Sequence, residues 1–256
     1  ALFQFALFYA AYYGYGLVRG AIHGKTADAF NNGQWVIDFE RSVGIFIEPA
    51  MQGAVQPVTW LSDAAAWSYP NVHFTLTPAV IIFIYIFRNE SYYFVRNMLM
   101  VAMGIALIGY LGIPTAPPRF FAEYGFVDSV SIATGVKPNS PTVNALFNPY
   151  AAMPSMHCAF ALMIGAPMVA LCKHLYAKIL WAIYPIFVAL VTIVTGNHFV
   201  LDVVVGWSVA IAGGLISWYI LAPIRPNLWR FMPEPISTSD SEPEQKPEPE
   251  SEEAYA

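Results

Sequence analysis

The sequence predicts an all-α, polytopic membrane protein of about six transmembrane helices, with an amphipathic interfacial segment and a disordered acidic C-terminal tail. Three observations carry this expectation. Of the 256 residues 57% are hydrophobic and only 11% charged, against the roughly 25% charged residues of a soluble domain. Six stretches approach the ~20 apolar residues that a spanning helix needs, at 1–18, 71–87, 92–113, 153–172, 176–195 and 200–222. Aromatic residues gather near their ends, among them Tyr12, Tyr13, Tyr15, Tyr69, Tyr92, Tyr93 and Trp229, as in interfacial belts.

The first stretch has no basic n-region or cleavage site and reads as a membrane helix rather than a signal peptide. Between the first two spans, residues 19–70 form a long connection. Within it, Phe30 to Val55 interleaves Asp38, Glu40, Arg41 and Glu48 with Trp35, Ile37, Phe39, Ile45, Phe46 and Ile47. This pattern predicts amphipathic helix lying in the interface plane, with Glu40, Arg41 and Glu48 forming ion pairs on its polar side. The 71–87 stretch is short for a span. The loop 114–150 is rich in Pro, Gly, Asn and Ser and is expected to be irregular. Pro167 predicts a tolerated kink inside the fourth span. Residues 1–231 make one membrane domain. Residues 232–256, poor in apolar side chains and rich in Pro, Glu and Ser, predict disorder.

The formal net charge of −5 comes from this tail, which holds eight acidic residues and one Lys between Glu234 and Glu253. The remaining body carries 11 basic and 9 acidic residues, and no basic stripe points to nucleic acid as a partner. Cys158 and Cys172 would sit roughly 21 Å apart on one helix, too far to pair. Arg88, Lys173, Lys178, Arg225 and Arg230 lie in short segments near membrane ends. That bias puts both termini in the cytoplasm of a multi-pass plasma-membrane protein, and the 19–70 and 114–150 loops outside.

Three polar islands interrupt the apolar chain: Gly112-Ile-Pro-Thr-Ala-Pro-Pro-Arg119, Met153-Pro-Ser-Met-His157 and Gly196-Asn-His-Phe-Val-Leu-Asp202. The first follows the third span, the second opens the fourth, and the third lies where the fifth turns into the sixth. Counting crossings brings all three to one membrane face. His198 and Asp202, spaced i and i+4, share a helix face. A carboxylate there can hold the Nδ1 proton of the imidazole and leave Nε2 as a lone-pair donor, which makes His198 a candidate nucleophile. Ser155, Met156 and His157 open a helix whose N-terminal N–H groups suit an anion. Arg119 can grip phosphate oxygens in bidentate fashion. Two His and one Asp also suit a metal; a guanidinium beside them opposes a bound cation and tilts the reading toward phosphate.

The Pro154-Ser-Met-His157 and Gly196-Asn-His198-x-x-x-Asp202 elements resemble the second and third signature motifs of the type-2 phosphatidic acid phosphatase superfamily. The resemblance runs from at least Ile113 to Gly206. The Pro-Thr-Ala-Pro-Pro-Arg119 element and the Asn-His-Phe form of the third motif are most similar to the branch that contains fungal inositol phosphorylceramide synthase and many bacterial relatives. It implies a metal-independent, cofactor-free lipid-phosphate phosphatase or phosphotransferase working through a phosphohistidine. His198 would attack phosphorus, His157 would protonate the leaving oxygen and Asp202 would orient His198. Arg119, Ser155 and backbone N–H groups near Met156 would hold the phosphate. The acceptor would be water or an alcohol such as inositol or a sugar, on the extracytoplasmic face. The motifs leave the oligomeric state open.

The chain also departs from that pattern. Gly112 stands where the first motif has a Lys, Phe120 follows Arg119 in place of Pro, and Val191 and Thr192 replace the Ser-Arg before the third motif's His. Arg96, roughly 35 Å of helix from Arg119, is a poor replacement. His73, Arg19 and Arg41 are the nearer candidates for phosphate binding. These losses favour head-group transfer, such as that of phosphoinositol between lipids, or another specialised substrate. Two rivals stand beside the enzyme: a lipid carrier or transporter using His157, His198 and Asp202 as a proton relay, and a catalytically inert lipid-binding relative.

Overall fold

The structure, a computed structural model, describes residues 6, 9, 10, 12–14, 16, 26–135 and 149–224. Among these residues the only β pairing is an isolated parallel bridge between Thr115 and Ala151. The helices are α1 (Thr26–Val43), α2 (Glu48–Val55), α3 (Thr59–Phe87), α4 (Asn89–Gly112), α5 (Ser129–Thr134), α6 (Met156–Leu171), α7 (Leu175–Val194) and α8 (Val200–Leu215), the last continued by a π-helical stretch, Ile216–Leu221. Tyr9, Tyr12 and Tyr13 from the first apolar stretch are helical too. The rest of that stretch and the whole 232–256 tail lie outside the described residues.

Among the described residues four helices are long and apolar enough to cross a membrane: α3, α4, α7 and α8 with its extension. The 16-residue α6 is apolar but shorter. Two sequence expectations change here. The stretch expected at 71–87 is a 29-residue helix that starts at Thr59 and carries Pro70 and Pro78 inside it. Pro70 reads as a helix stop in isolation, whereas a membrane bundle tolerates such breaks because neighbouring groups satisfy the freed carbonyls. The fourth stretch yields a shorter helix than expected because Met153, Pro154 and Ser155 leave the helix, and all three of these residues are buried.

The main core runs between α4, α6, α7 and α8. Leu99, Ala102 and Ala106 of α4 pack with Ala159, Ala161 and Ile164 of α6 and with Ala210 of α8. Small side chains let helix backbones approach closely where lipid supplies little driving force for association. On the outer face of α7, Leu180, Ile183, Ile186, Phe187 and Leu190 are exposed, as suits a lipid-facing surface.

The segment expected at the interface is packed against the rest of the protein. Ala29, Val36 and Ile37 of α1 are buried against Phe121, Phe126 and Phe199. The chain after α4 is tied to α1 by Ala116 N–H donating to the Ala29 carbonyl at 2.9 Å and by Asn32 Nδ2 donating to the Pro114 carbonyl at 2.7 Å. The 114–135 part of the loop expected to be irregular holds α5 and two short 3-10 turns. The expected ion pairs of Glu40, Arg41 and Glu48 are not formed. Both carboxyls turn inward and are fully buried, because unfilled backbone N–H groups of α8 receive them. Arg41 instead lies over the rings of Phe46 and Tyr124, at 4.9 and 4.5 Å, a cation–π arrangement.

Gln52 of α2 is the buried cross-link of this layer. Its Nε2 donates to the carbonyls of Val127 (2.9 Å) and Val194 (3.2 Å), and its Oε1 accepts from Val127 N–H (3.1 Å). A leucine would leave these buried groups unmatched, at about 1–3 kcal/mol for an unsatisfied group. Gln52→Leu is therefore expected to lower the thermal unfolding midpoint of the detergent-solubilised protein by several degrees. An unchanged midpoint would contradict the cross-link.

Candidate active site

The third island is built by how α7 ends. The Thr192 carbonyl accepts from the N–H groups of both Asn197 (3.0 Å) and His198 (3.2 Å), which folds the chain back on itself after the helix. Gly196 makes that reversal with φ +72°, a left-handed conformation that an L side chain adopts at a cost. Asn197 Nδ2 donates to Thr195 Oγ1 at 2.9 Å. α8 then starts at Val200 and carries Asp202 inward, fully buried.

Asp202 Oδ2 is shared between Phe199 N–H at 2.9 Å and His198 Nδ1 at 3.4 Å. The first bond caps the helix. The second orients the imidazole, although His198 precedes α8 and does not share a helix face with Asp202 as the i, i+4 spacing predicted; Asp202 reaches back to it from the first turn. His157, one residue into α6, places its ring centroid 5.9 Å from that of His198. Tyr69 of α3 stacks on the His157 ring at 4.4 Å, and the His73 ring lies 5.0 Å away. His73 is buried, 3.3 Å from Thr77 Oγ1, and stacked on Phe160 at 5.4 Å. The two histidines of the motifs thus lie close together, and His73 lies beside His157.

The first island joins at the other side. Arg119 N–H donates to the Gly196 carbonyl at 2.8 Å, and its guanidinium donates to Asn197 Oδ1 at 2.5 Å. The same guanidinium lies 3.7 Å from Asp128 Oδ2, so a phosphate at Arg119 shares it with a carboxylate. The second island is clamped between helices. Ser155 N–H donates to the Asp202 carbonyl (3.0 Å), and Tyr110 Oη donates to the Pro154 carbonyl (2.9 Å). Ser155 is fully buried at the N-cap of α6, next to Met156, where the first N–H groups have no intrahelical acceptor.

All residues singled out in the three islands therefore converge. Arg96 does not: it is buried in α4 and donates to its neighbour Asn97. Among the described residues no group of three or more His, Cys, Asp or Glu side chains is arranged to hold a metal ion. Sequence reasoning missed Tyr69, read as an interfacial belt residue, and Gln52. It also missed Glu40 and Glu48, which reach Leu201 N–H and Val200 N–H, each at 2.7 Å. No local pattern marks these contacts, since their partners lie 161 and 152 residues away.

α8 and the turn before α6 approach each other closely at Gly206. A methyl group on Gly206 would sit 2.3 Å from the Ser155 carbonyl oxygen. Gly206→Ala is expected to destabilise the protein by about 1–3 kcal/mol through overpacking, read as a lower unfolding midpoint. Gly104→Ala, with nothing within 4 Å of the added methyl, should shift it little. Equal effects from the two substitutions would refute this packing.

Comparison with known proteins places the chain in a family. The sequence model of the PAP2 superfamily matches residues 34–216, which include all three islands. A phosphoinositol dihydroceramide synthase of Bacteroides thetaiotaomicron is 27% identical over 161 residues, covering 54% of this chain and 50% of the relative. The chain thus spans about half the length of that curated relative. No solved structure matches.

Proposed function

The chain belongs to the PAP2 superfamily, and on that premise we propose that it is a membrane lipid-phosphate phosphatase or phosphotransferase. The observation that carries the reading is the approach of His157 to His198, 5.9 Å between ring centroids, with Asp202 behind His198. In the proposed reaction His198 Nε2 attacks phosphorus and the P–O bond to the leaving group breaks. His157 protonates the departing oxygen, leaving a phosphohistidine. Asp202 holds the Nδ1 proton and stabilises the charge that develops on the ring. Arg119, Ser155 and the N–H groups at Met156 bind the phosphate oxygens where charge accumulates. Hydrolysis or attack by an alcohol at the same phosphorus then regenerates His198. Arg119 fits phosphate better than a bound cation, and this supports a metal-independent route.

A cavity of about 230 Å³, lined by Tyr9, Tyr12, Phe74, Pro78 and Phe160, reaches His73. Its apolar walls suit a hydrocarbon chain whose phosphate end approaches His157. This supports a lipid donor over a soluble phosphate ester, and makes His73 a candidate phosphate neighbour in place of the family's Lys.

Two observations favour transfer to an alcohol over hydrolysis. Gly112 and Thr192 stand where the phosphatases carry phosphate-binding cations, and the curated relative is named a phosphoinositol dihydroceramide synthase. An inositol-type head group is accordingly the first acceptor or cargo to try.

The experiment incubates purified protein with a panel of lipid phosphates and phospho-head-group lipids, with and without EDTA and with and without inositol. Turnover is expected to survive EDTA and to fall by at least about 10³-fold in His198→Ala, by analogy with loss of other catalytic nucleophiles, and strongly in His157→Ala. Full activity in both variants would remove the site assignment. Inositol should divert product from free phosphate to a transferred head group. With the site proposed on the extracytoplasmic face, a tag on the C-terminal tail should stay inaccessible from outside intact cells; labelling from outside would reverse the orientation.

A further inference from the structure

Outside the three islands, the most unusual feature is a pair of fully buried carboxyls, Glu40 of α1 and Glu48 of α2. Each uses one oxygen to accept a backbone N–H from the first turn of α8: Glu40 Oε1 from Leu201 and Glu48 Oε1 from Val200, both at 2.7 Å. With Asp202 on Phe199 N–H at 2.9 Å, three consecutive N–H groups of α8 are each taken by a carboxyl. The other oxygens, Glu40 Oε2 and Glu48 Oε2, are buried and, as carboxylates, have no donor among the described residues. Yet the two carboxyls are anchored on adjacent N–H groups, those of Val200 and Leu201, and so lie side by side. Two acceptors that face each other become a bonded pair when one of them carries a proton.

We infer that Glu40 and Glu48 share a single proton and act together as positioning residues, a clamp with one negative charge that holds the start of α8 and thereby the His198–Asp202 pair. The inference rests on the site proposed above and assigns to the interfacial helices a part in it.

The geometry accounts for a shared proton better than for two charges or none. Two ionised groups would place like charges together in a buried site that already holds Asp202. Two neutral carboxyls would give up the charge that the N-terminus of α8 favours. One proton between them supplies the missing donor and leaves one charge for the helix. The Glu40 carboxyl is accordingly raised to about 9, first by burial, then by its hydrogen bond to Glu48 and the Glu48 charge, with Asp202 adding and the Leu201 N–H opposing. Among the described residues the charges that bear on it are those of Glu48 and Asp202, while Arg41 is turned toward Phe46 and Tyr124. The folded state holds a proton that the unfolded chain releases at its ordinary value of 4.5. Stability from this pair is therefore complete below 4.5 and is lost progressively as the pH rises toward 9.

Glutamine is a neutral copy of a protonated glutamate, which makes the test specific. In Glu40→Gln the amide oxygen still accepts from Leu201 and the amide nitrogen donates to Glu48; Glu48→Gln mirrors this. In the double variant each oxygen is needed by α8, so two NH₂ groups face each other and the charge is gone. Full-length protein in detergent is used throughout. The infrared spectrum in ²H₂O at neutral pH should show a protonated-carboxyl band that each single variant removes. Glu40→Gln should also flatten the fall of the unfolding midpoint between pH 5 and 9. With the lipid phosphate that the wild type turns over, each single variant should lose only a few-fold in kcat. The double variant should lose about 10–100-fold, the range for residues that orient a catalytic group, with KM little changed and well beyond the product of the singles. Glu40→Ala, which keeps neither bond, should behave like the double variant, so that rescue by glutamine separates clamping from mere bulk. No protonated-carboxyl band, or a double variant equal to the product of the singles, overturns the clamp. If the wild type turns over no lipid phosphate, the proposed function fails, while the band and the pH slope still decide the clamp.

Discussion

The start of α8 is the constraint around which the rest of the molecule is arranged. A helix beginning at the edge of an apolar bundle exposes N–H groups that water cannot fully reach, and unsatisfied groups at that depth are costly. Here Phe199, Val200 and Leu201 give their N–H groups to Asp202, Glu48 and Glu40. Those acceptors come from three separate parts of the chain. Satisfying one helix end therefore ties the interfacial helices α1 and α2 to the helix that carries Asp202. The same stretch sets His198 against Asp202, so the orientation of the proposed nucleophile depends on bonds made well outside its motif.

A second helix start is treated in the opposite way. At α6 the first N–H groups at Met156 and His157 have no intrahelical acceptor, and Ser155 makes no side-chain cap there. The turn is instead fixed from behind, by Ser155 N–H on the Asp202 carbonyl and by Tyr110 on the Pro154 carbonyl. Two helix N-termini therefore lie near one site, one of them filled by the protein's own carboxyls.

How far the sequence carries can be seen residue by residue. The three islands were legible because their chemistry is local: a His and an Asp four apart, a Ser-Met-His opening an apolar run, an Arg after a Pro-rich turn. Their meeting followed from counting spans, a topological argument that needs no side-chain detail. The start of α3 at Thr59 was not legible, because Pro70 stops a helix in water and not in a bundle. The inward turn of Glu40 and Glu48 was hidden for a different reason. On a helical wheel they look like the polar side of an amphipathic segment, and only the unfilled N–H groups of α8, far away in sequence, make burial favourable. Charged residues on an interfacial helix read as solvated unless their partner is known.

This arrangement also bears on the cations that the chain lacks relative to its family's pattern. The lipid phosphate proposed as substrate would bring negative charge toward a site that already holds Asp202 and the Glu40–Glu48 pair, with Asp128 beside Arg119. With every carboxyl ionised, one guanidinium and one helix terminus would have to offset all of them. A proton held between Glu40 and Glu48 removes one of those charges without moving an atom. It keeps the hydrogen bonds that fix α8 while reducing the repulsion an incoming phosphate meets. In the reaction proposed above, the electrostatic balance at phosphorus would then be set partly by two residues that do not touch the substrate.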